Sequence, residues 1–385
     1  MPDPLLPGPF LLERYFAQYE FSAKHLLCCS DVEPLSMKEL VAMADAEMGA
    51  AWGSLGLGYT ESAGLPALRA AVASTFGAAV SAPNCLVLAP EEGIYLGVMA
   101  MCGPGDAVIA MEPCYQSLSE VARSRGCTVV PWPAEPAAAR GSALRYSRTA
   151  LAALLAASGG KVAAVVVNFP HNPSAFLPAA AEFEAMVRAC EGAGARMFCD
   201  EMYRGLEQDA ACTLPSACEL SSSAVILGGV SKTLSAPGLR IGWLVSRDVA
   251  FLDKVQGLKD FTTICSSAPS EVLATIALRS REAILQRNRK IVADNAALFV
   301  AFMGKHEGLF LPLEMPVAGS TAFPCLASAN VDEYARKLVE AKGVLLLPAS
   351  AYGSAENRMR IGLGRRDFQE GLEIWAEAIK EGVLS

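Results

Sequence analysis

The sequence predicts an α/β protein: a mainly parallel sheet sandwiched by helices, with a smaller α+β domain beside it. Two observations carry that expectation. In the first part of the chain, strand-length runs rich in Val, Ile and Leu alternate with helix-patterned stretches, and strands covered on both faces read as such continuous apolar runs. Near residue 280 the pattern changes to a long charged helix followed by shorter elements. At 385 residues the chain also exceeds the usual size of one hydrophobic core, so two domains with a cleft are expected. The large domain is placed at 48–283 and the small one at 1–47 plus 284–385, with the N-terminal arm joining the C-terminal part.

Taken in order, PALRAAVASTF brings Leu68, Val72 and Phe76 to one helix face, and Pro66 suits a first turn. Six strands follow: CLVLA (85–89), DAVIAM (106–111), CTVVPW (127–132), KVAAVVVNF (161–169), ARMFCD (195–200) and AVILGG (224–229). The Ala-rich EPAAARGSALRYSRTALAALLAASGG reads as a loop and a helix. Beyond 280, SREAILQRNRKIVADNAALFVAFM is the long helix, and GSTAFPCL, VDEYARKLVEAKG, VLLLP and NRMRIGLG supply short strands and helices. Parallel sheets collect ligands at the carboxyl ends of their strands, so polar residues there are the candidates for function.

Composition removes several classes. The chain is 52% hydrophobic and 19% charged, which suits a packed core and argues against disorder. No uncharged apolar run approaches the roughly 18 residues of a membrane span, and a net charge of −8 with no basic stripe excludes a nucleic-acid footprint. MPDPLLPGPFLLERYF lacks the basic start and unbroken apolar core of an export signal, and twelve scattered cysteines in apolar settings read as reduced thiols, so a cytoplasmic protein is expected. With no C-x-x-C, and His25, His171 and His306 far apart, no metal site is expected. LGLGYTESAG has Glu61 where a dinucleotide loop needs its third glycine. SGGK (Ser158–Lys161) stands without the companion motifs of serine acyl-transferring enzymes.

Three strand ends carry a coherent polar set. VVVNFPHNPSAF ends one with Asn172, MFCDEMYRGL the next with Asp200 and Tyr203, and ILGGVSKTLSAPGLRIG the third with Ser231, Lys232 and Arg240. An ammonium beside a core strand is costly unless paired or neutralised, so Lys232 suits a working amine. In this order the motifs resemble those of fold-type I pyridoxal-phosphate enzymes, in particular class I/II aminotransferases. With LGYTESAG upstream and NRMRIGLG downstream, the resemblance covers residues 59–360.

The resemblance implies pyridoxal 5′-phosphate as cofactor. It implies Lys232 as the amine that binds it covalently and then moves a proton at the substrate α-carbon. Asp200 is implied to keep the pyridine nitrogen protonated, Asn172 and Tyr203 to donate to the phenolic oxygen, and Tyr115 of EPCYQS to cover the ring face. For the phosphate it implies Ser231, Arg240 and backbone amides at a helix start. That loop is here LAPEEGIY, a departure from the family pattern: Pro90 has no N–H, and Glu91 and Glu92 are expected to help only through their backbone. Tyr59, with Ser267 of CSSAPSE, is implied to cross to a neighbouring subunit, which makes a homodimer with shared sites. Arg360 is implied to grip the substrate α-carboxylate, although on spacing alone Arg358 is interchangeable with it. For the far end of the substrate, Glu20, Asp31 and Glu33 are either acceptors of a cationic side chain or solvated charges. Arg279, Arg281, Arg287 and Arg289 are candidates for reaching an acidic one. The implied reaction is transamination to a 2-oxo acid. The arm ERYFAQYEFSAKHLLCCSDVEPLSMKEL is also similar to that of the capreomycidine-synthase-like branch, which leaves a lyase or cyclase acting on a hydroxyarginine-like amino acid as the alternative.

Overall fold

A computed structural model describes residues 6–135, 143–159 and 161–384; Met1–Leu5, residues 136–142 of the Ala-rich stretch and Gly160 of SGGK lie outside the described residues. Strand β1 (His25–Leu26) belongs to the arm. Strands β2 (Cys85–Leu88), β3 (Ala107–Glu112), β4 (Thr128–Pro133), β5 (Val162–Asn168), β6 (Arg196–Asp200), β7 (Val225–Gly229) and β8 (Gly242–Val245) form one sheet in the order β2-β8-β7-β6-β5-β3-β4. Every pairing from β7 to β4 is parallel, whereas β8 runs antiparallel to both neighbours. All six expected strands are present. β8 is an addition: its four residues follow directly on the Arg240 motif, and an antiparallel strand needs no crossover helix to announce it.

Register places the strand ends. Asn168 is level with Asp200, and Asp200 with Leu227; Gly242 is level with both Gly229 and Leu88. The carboxyl ends of β2, β5, β6 and β7 therefore share one edge. The helix Pro90–Met101 starts at that edge and lies close to the sheet, because a Cβ at Gly93 would stand 2.6 Å from Leu88 Cδ1 and 2.9 Å from Leu227 Cδ1.

The remaining strands are β9 (Thr321–Ala322), β10 (Val344–Leu345), β11 (Leu347–Pro348) and β12 (Met359–Gly362). They make an antiparallel sheet β11-β12-β9 and a parallel pair of β10 with β1 from the arm. The expected long helix spans Arg281–Lys305. The arm is bound tightly to the C-terminal part: Gly362 N donates to Leu27 O at 2.9 Å, and Glu33 N to Gly364 O at 2.8 Å. A Cβ at Gly362 would run into the backbone of Cys29, and one at Gly364 into that of Asp31. Only glycine allows this approach, which lays residues 27–33 against β12 and turns them toward the sheet edge. No helix among the described residues is long and apolar enough to cross a membrane.

Candidate active site

The sheet edge, the arm and β12 enclose a cleft of about 680 Å³. Lys232 leaves the end of β7 and reaches into it, where Nζ donates to Ser30 Oγ at 3.0 Å. Burial pushes the amine below the ordinary lysine range, with Arg360 adding to the effect and Asp31 opposing it. Asp200 ends β6; its Oδ1 accepts from Met202 N at 2.9 Å, and burial lifts the carboxyl to about 7 against the pull of Lys232. Tyr203 is 4% exposed, and burial pushes its hydroxyl up to about 12, so it is a neutral O–H donor.

The exit of β5 is tied to that of β6. Asn172 N donates to Asn168 Oδ1 at 2.6 Å, and Asn168 Nδ2 donates to Asp200 O at 2.9 Å. Asn172 Oδ1 accepts from Tyr352 Oη at 2.8 Å and from Arg360 Nη1 at 3.1 Å. That leaves its amide nitrogen as the donor side. Arg360 is 2% exposed and further fixed by Nε donating to Cys28 O at 2.8 Å. Arg358 takes another course: it pairs with Glu356, and its Nη1 donates to Phe323 O at 3.0 Å. The structure thus separates two arginines that spacing left interchangeable, and only Arg360 lines the cleft.

At one end of the cleft the groups suit an anion. Ser231 Oγ is buried with no hydrogen-bond partner among the described residues, and an orphaned buried hydroxyl signals a missing partner. Arg240 lies beside it in the left-handed region, at φ +55°, a conformation that costs a non-glycine residue of order 1–3 kcal/mol and collects at functional sites. The helix Pro90–Met101 begins here, and its first-turn N–H groups have no intrahelical acceptor. Hydroxyl, guanidinium and helix start together fit a phosphate.

Glu91 and Glu92 part company. Glu91 lines the cleft beside Tyr115, and burial raises its carboxyl. The Glu92 side chain turns away to accept from Thr262, Thr263 and Ala89 N, because adjacent helical residues point about 100° apart, which leaves this residue only its backbone amide to offer the cleft. Glu20 lines the cleft, with burial and Glu13 raising its carboxyl. Asp31 also lines it, but both oxygens are held by Arg365 at 3.1 Å. Of the two readings left open for Glu33, the structure favours the one away from the substrate, since its carboxylate accepts from Arg366 N at 3.0 Å and does not line the cleft.

None of the four candidate arginines reaches the cleft. Arg279 pairs with Asp45 and Glu47, Arg281 with Glu282, while Arg287 bonds Glu33 O and Arg289 bonds Gly205 O. Tyr59 is 94% exposed and lies outside the cleft of its own chain; Ser267 is exposed too. Ser30, Glu13, Tyr352 and Arg365 reach the site or its supports without being foreseen. No motif marks them, because tertiary packing of the arm and of the C-terminal part brings them there.

A lysine, a carboxylate, an arginine and an anion-binding cup at the edge of a mainly parallel sheet fit a pyridoxal-phosphate-dependent enzyme of fold-type I. Residues 27–378 match the family Aminotransferase class I and II, and the chain belongs to that family. Capreomycidine synthase of Streptomyces vinaceus is 28% identical over 389 residues, 98% of this chain and 97% of the relative. Arginine–pyruvate transaminase of Pseudomonas aeruginosa is 27% identical over 326 residues, 79% of this chain and 77% of that one. Among solved structures, the PLP-dependent cyclase OrfR superposes with a TM-score of 0.86 at 27% identity, covering 99% of each chain. The cofactor is pyridoxal 5′-phosphate, and the anion cup and buried polar groups fit it.

Proposed function

We propose that the enzyme transfers the amino group of an amino acid with a cationic side chain to a 2-oxo acid. The observation that carries this reading is one cleft holding a lysine amine lowered by burial and a buried guanidinium, Arg360. Under it, Lys232 binds the cofactor covalently. Asp200 takes the ring nitrogen, Asn172 and Tyr203 the phenolic oxygen, and Tyr115 the ring face. Ser231, Arg240 and the amides of Glu91 and Glu92 take the phosphate.

Bound there, pyridoxal 5′-phosphate supplies an electron sink for negative charge at the substrate α-carbon. The chain's own groups do the rest. Arg360 holds the α-carboxylate in a planar, two-pronged grip and so orients the α-C–H bond. Lys232, more readily neutral because it is buried, takes the proton from the α-carbon. Phe10, Leu12 and Phe16 of the arm line the cleft and keep water from it. Glu20 and Glu13 on the arm's wall favour a cationic side chain, in keeping with the name of the arginine–pyruvate relative.

A homodimer is part of the proposal. Leu57, Tyr59, Phe261 and Ile264 are exposed, and Ser62 Oγ joins their two loops by donating to Ile264 O at 2.7 Å. This apolar surface abuts the phosphate-binding helix through the contacts of Glu92 with Thr262 and Thr263, a place from which a second copy's Tyr59 would reach the cup. A cytoplasmic location accords with cysteines scattered through apolar settings.

One observation favours a second reading, the cyclisation or dehydration of a hydroxyarginine-like amino acid. The matches to capreomycidine synthase and to the cyclase run the full length of the chain and include the arm that lines the cleft. Incubation with an amino-acid panel, with and without a 2-oxo acid acceptor, and mass analysis of products separates the two. Transamination yields a new 2-oxo acid in equal amount to the amino acid consumed and stops without acceptor. Turnover that needs no acceptor and releases water supports the cyclase reading and removes the first.

A further inference from the structure

Ser30 meets Lys232 from 202 positions away in the chain. It is 6% exposed, and several ties fix it. Its carbonyl accepts from Ser320 Oγ at 2.6 Å, its neighbour Asp31 is clamped by Arg365, and Gly362 and Gly364 admit the arm backbone against β12. The hydroxyl accepts from Lys232 Nζ at 3.0 Å, and Tyr203 lines the same cleft, where burial raises its hydroxyl and Ser30 acts in the opposite sense. One hydroxyl has one proton and two lone pairs, so it can accept from the amine and donate to the phenol at once.

We propose that Ser30 is a positioning residue for the catalytic lysine: it receives the amine of Lys232 whenever that amine is not bonded to the cofactor, and holds it in line with Tyr203. The proposal rests on the reading that Lys232 is the working amine. An acceptor bonds an ammonium more strongly than a neutral amine, so Ser30 offsets part of the desolvation that lowers Lys232. The other groups around the amine are Asp31 and Cys29 on the arm, Arg360 and Arg365 on the C-terminal part, Glu20 just past the helix Leu11–Tyr19, Asp200 at the end of β6 and Tyr203 beyond it. A change of Ser30 alone leaves the chemical identity of all these groups as it is.

The test compares wild type with Ser30→Ala and Ser30→Thr. In cofactor-free protein, the rate at which acetic anhydride labels Lys232 is followed against pH by peptide mapping. Loss of one hydrogen bond of ordinary net strength predicts that Ser30→Ala labels about threefold to tenfold faster at a fixed pH below the midpoint. Ser30→Thr, which keeps the hydroxyl, stays within about twofold of wild type. In holoenzyme, α-proton exchange of a bound amino acid in heavy water should fall about tenfold or more in Ser30→Ala through kcat, with KM little changed, and recover in Ser30→Thr. Wild-type labelling and exchange in Ser30→Ala overturns the proposal, and so does equal impairment of both variants, which makes the residue a space-filler. Absence of exchange in wild type counts against the working-amine reading, while the labelling comparison, which needs no cofactor, still decides the role of Ser30.

Discussion

Asp200 illustrates how burial and chemistry are linked at single residues. Burial lifts its carboxyl from the ordinary 3.8 to about 7 in the folded protein, so between those two values the folded protein binds more protons than the unfolded chain. Stability then falls as pH rises across that window. Asp200→Asn in cofactor-free protein should therefore flatten the decline in melting temperature between about pH 4 and pH 7; an unchanged slope assigns the decline to other groups. In holoenzyme the same variant should keep binding cofactor yet lose about a hundredfold or more of α-proton exchange, since the ring nitrogen loses its charged partner. Arg360→Lys keeps the charge but not the fork, and kcat/KM should drop about tenfold to a hundredfold, the worth of a hydrogen bond to a charged group. The residues legible in the sequence lie at or shortly after strand ends, Asn172 after β5, Asp200 and Tyr203 at and after β6, and Ser231, Lys232 and Arg240 between β7 and β8, so local order places them. Ser30, Tyr352 and Arg365 sit in segments whose position at the cleft is a product of packing, and no short-range pattern encodes it.

At the scale of elements, the sheet was readable because its strands are buried on both faces, as in β2 and β7, where every residue is buried. What escaped was β8, short and antiparallel, and the turning of Glu92 away from the cup, which depends on where the helix Pro90–Met101 begins. The close packing of the arm on β12 gives a test. Gly362→Ala would press a methyl into the Cys29 backbone, and overpacking of this kind costs about 1–3 kcal/mol. Gly257, inside the helix Val249–Lys259, has nothing within 4 Å of its built Cβ, so Gly257→Ala should be neutral or stabilising by up to about 1 kcal/mol. Thermal unfolding of the two variants checks this; equal effects would show that the arm is not held by that contact.

For the whole molecule, the account joins a cleft complete in its lysine, carboxylate and arginine to an exposed apolar surface beside the cup. If Tyr59 serves the neighbouring subunit, mixing inactive Lys232→Ala with inactive Tyr59→Ala chains should restore part of the activity, because hybrid dimers contain one intact site. Confirmed heterodimers without activity would argue for sites that stand alone. The central claim is that the cofactor is carried by Lys232 at the end of β7. A fully buried lysine elsewhere offers a real alternative: Lys259 is 0% exposed, its amine is likewise lowered by burial, and its Nζ donates to Ser62 O at 2.5 Å. Borohydride reduction of the holoenzyme followed by peptide mapping decides between them. The account predicts a pyridoxyl label on the peptide that contains Lys232 and none elsewhere; a label on Lys259 or any other lysine, with Lys232 unmodified, would contradict it.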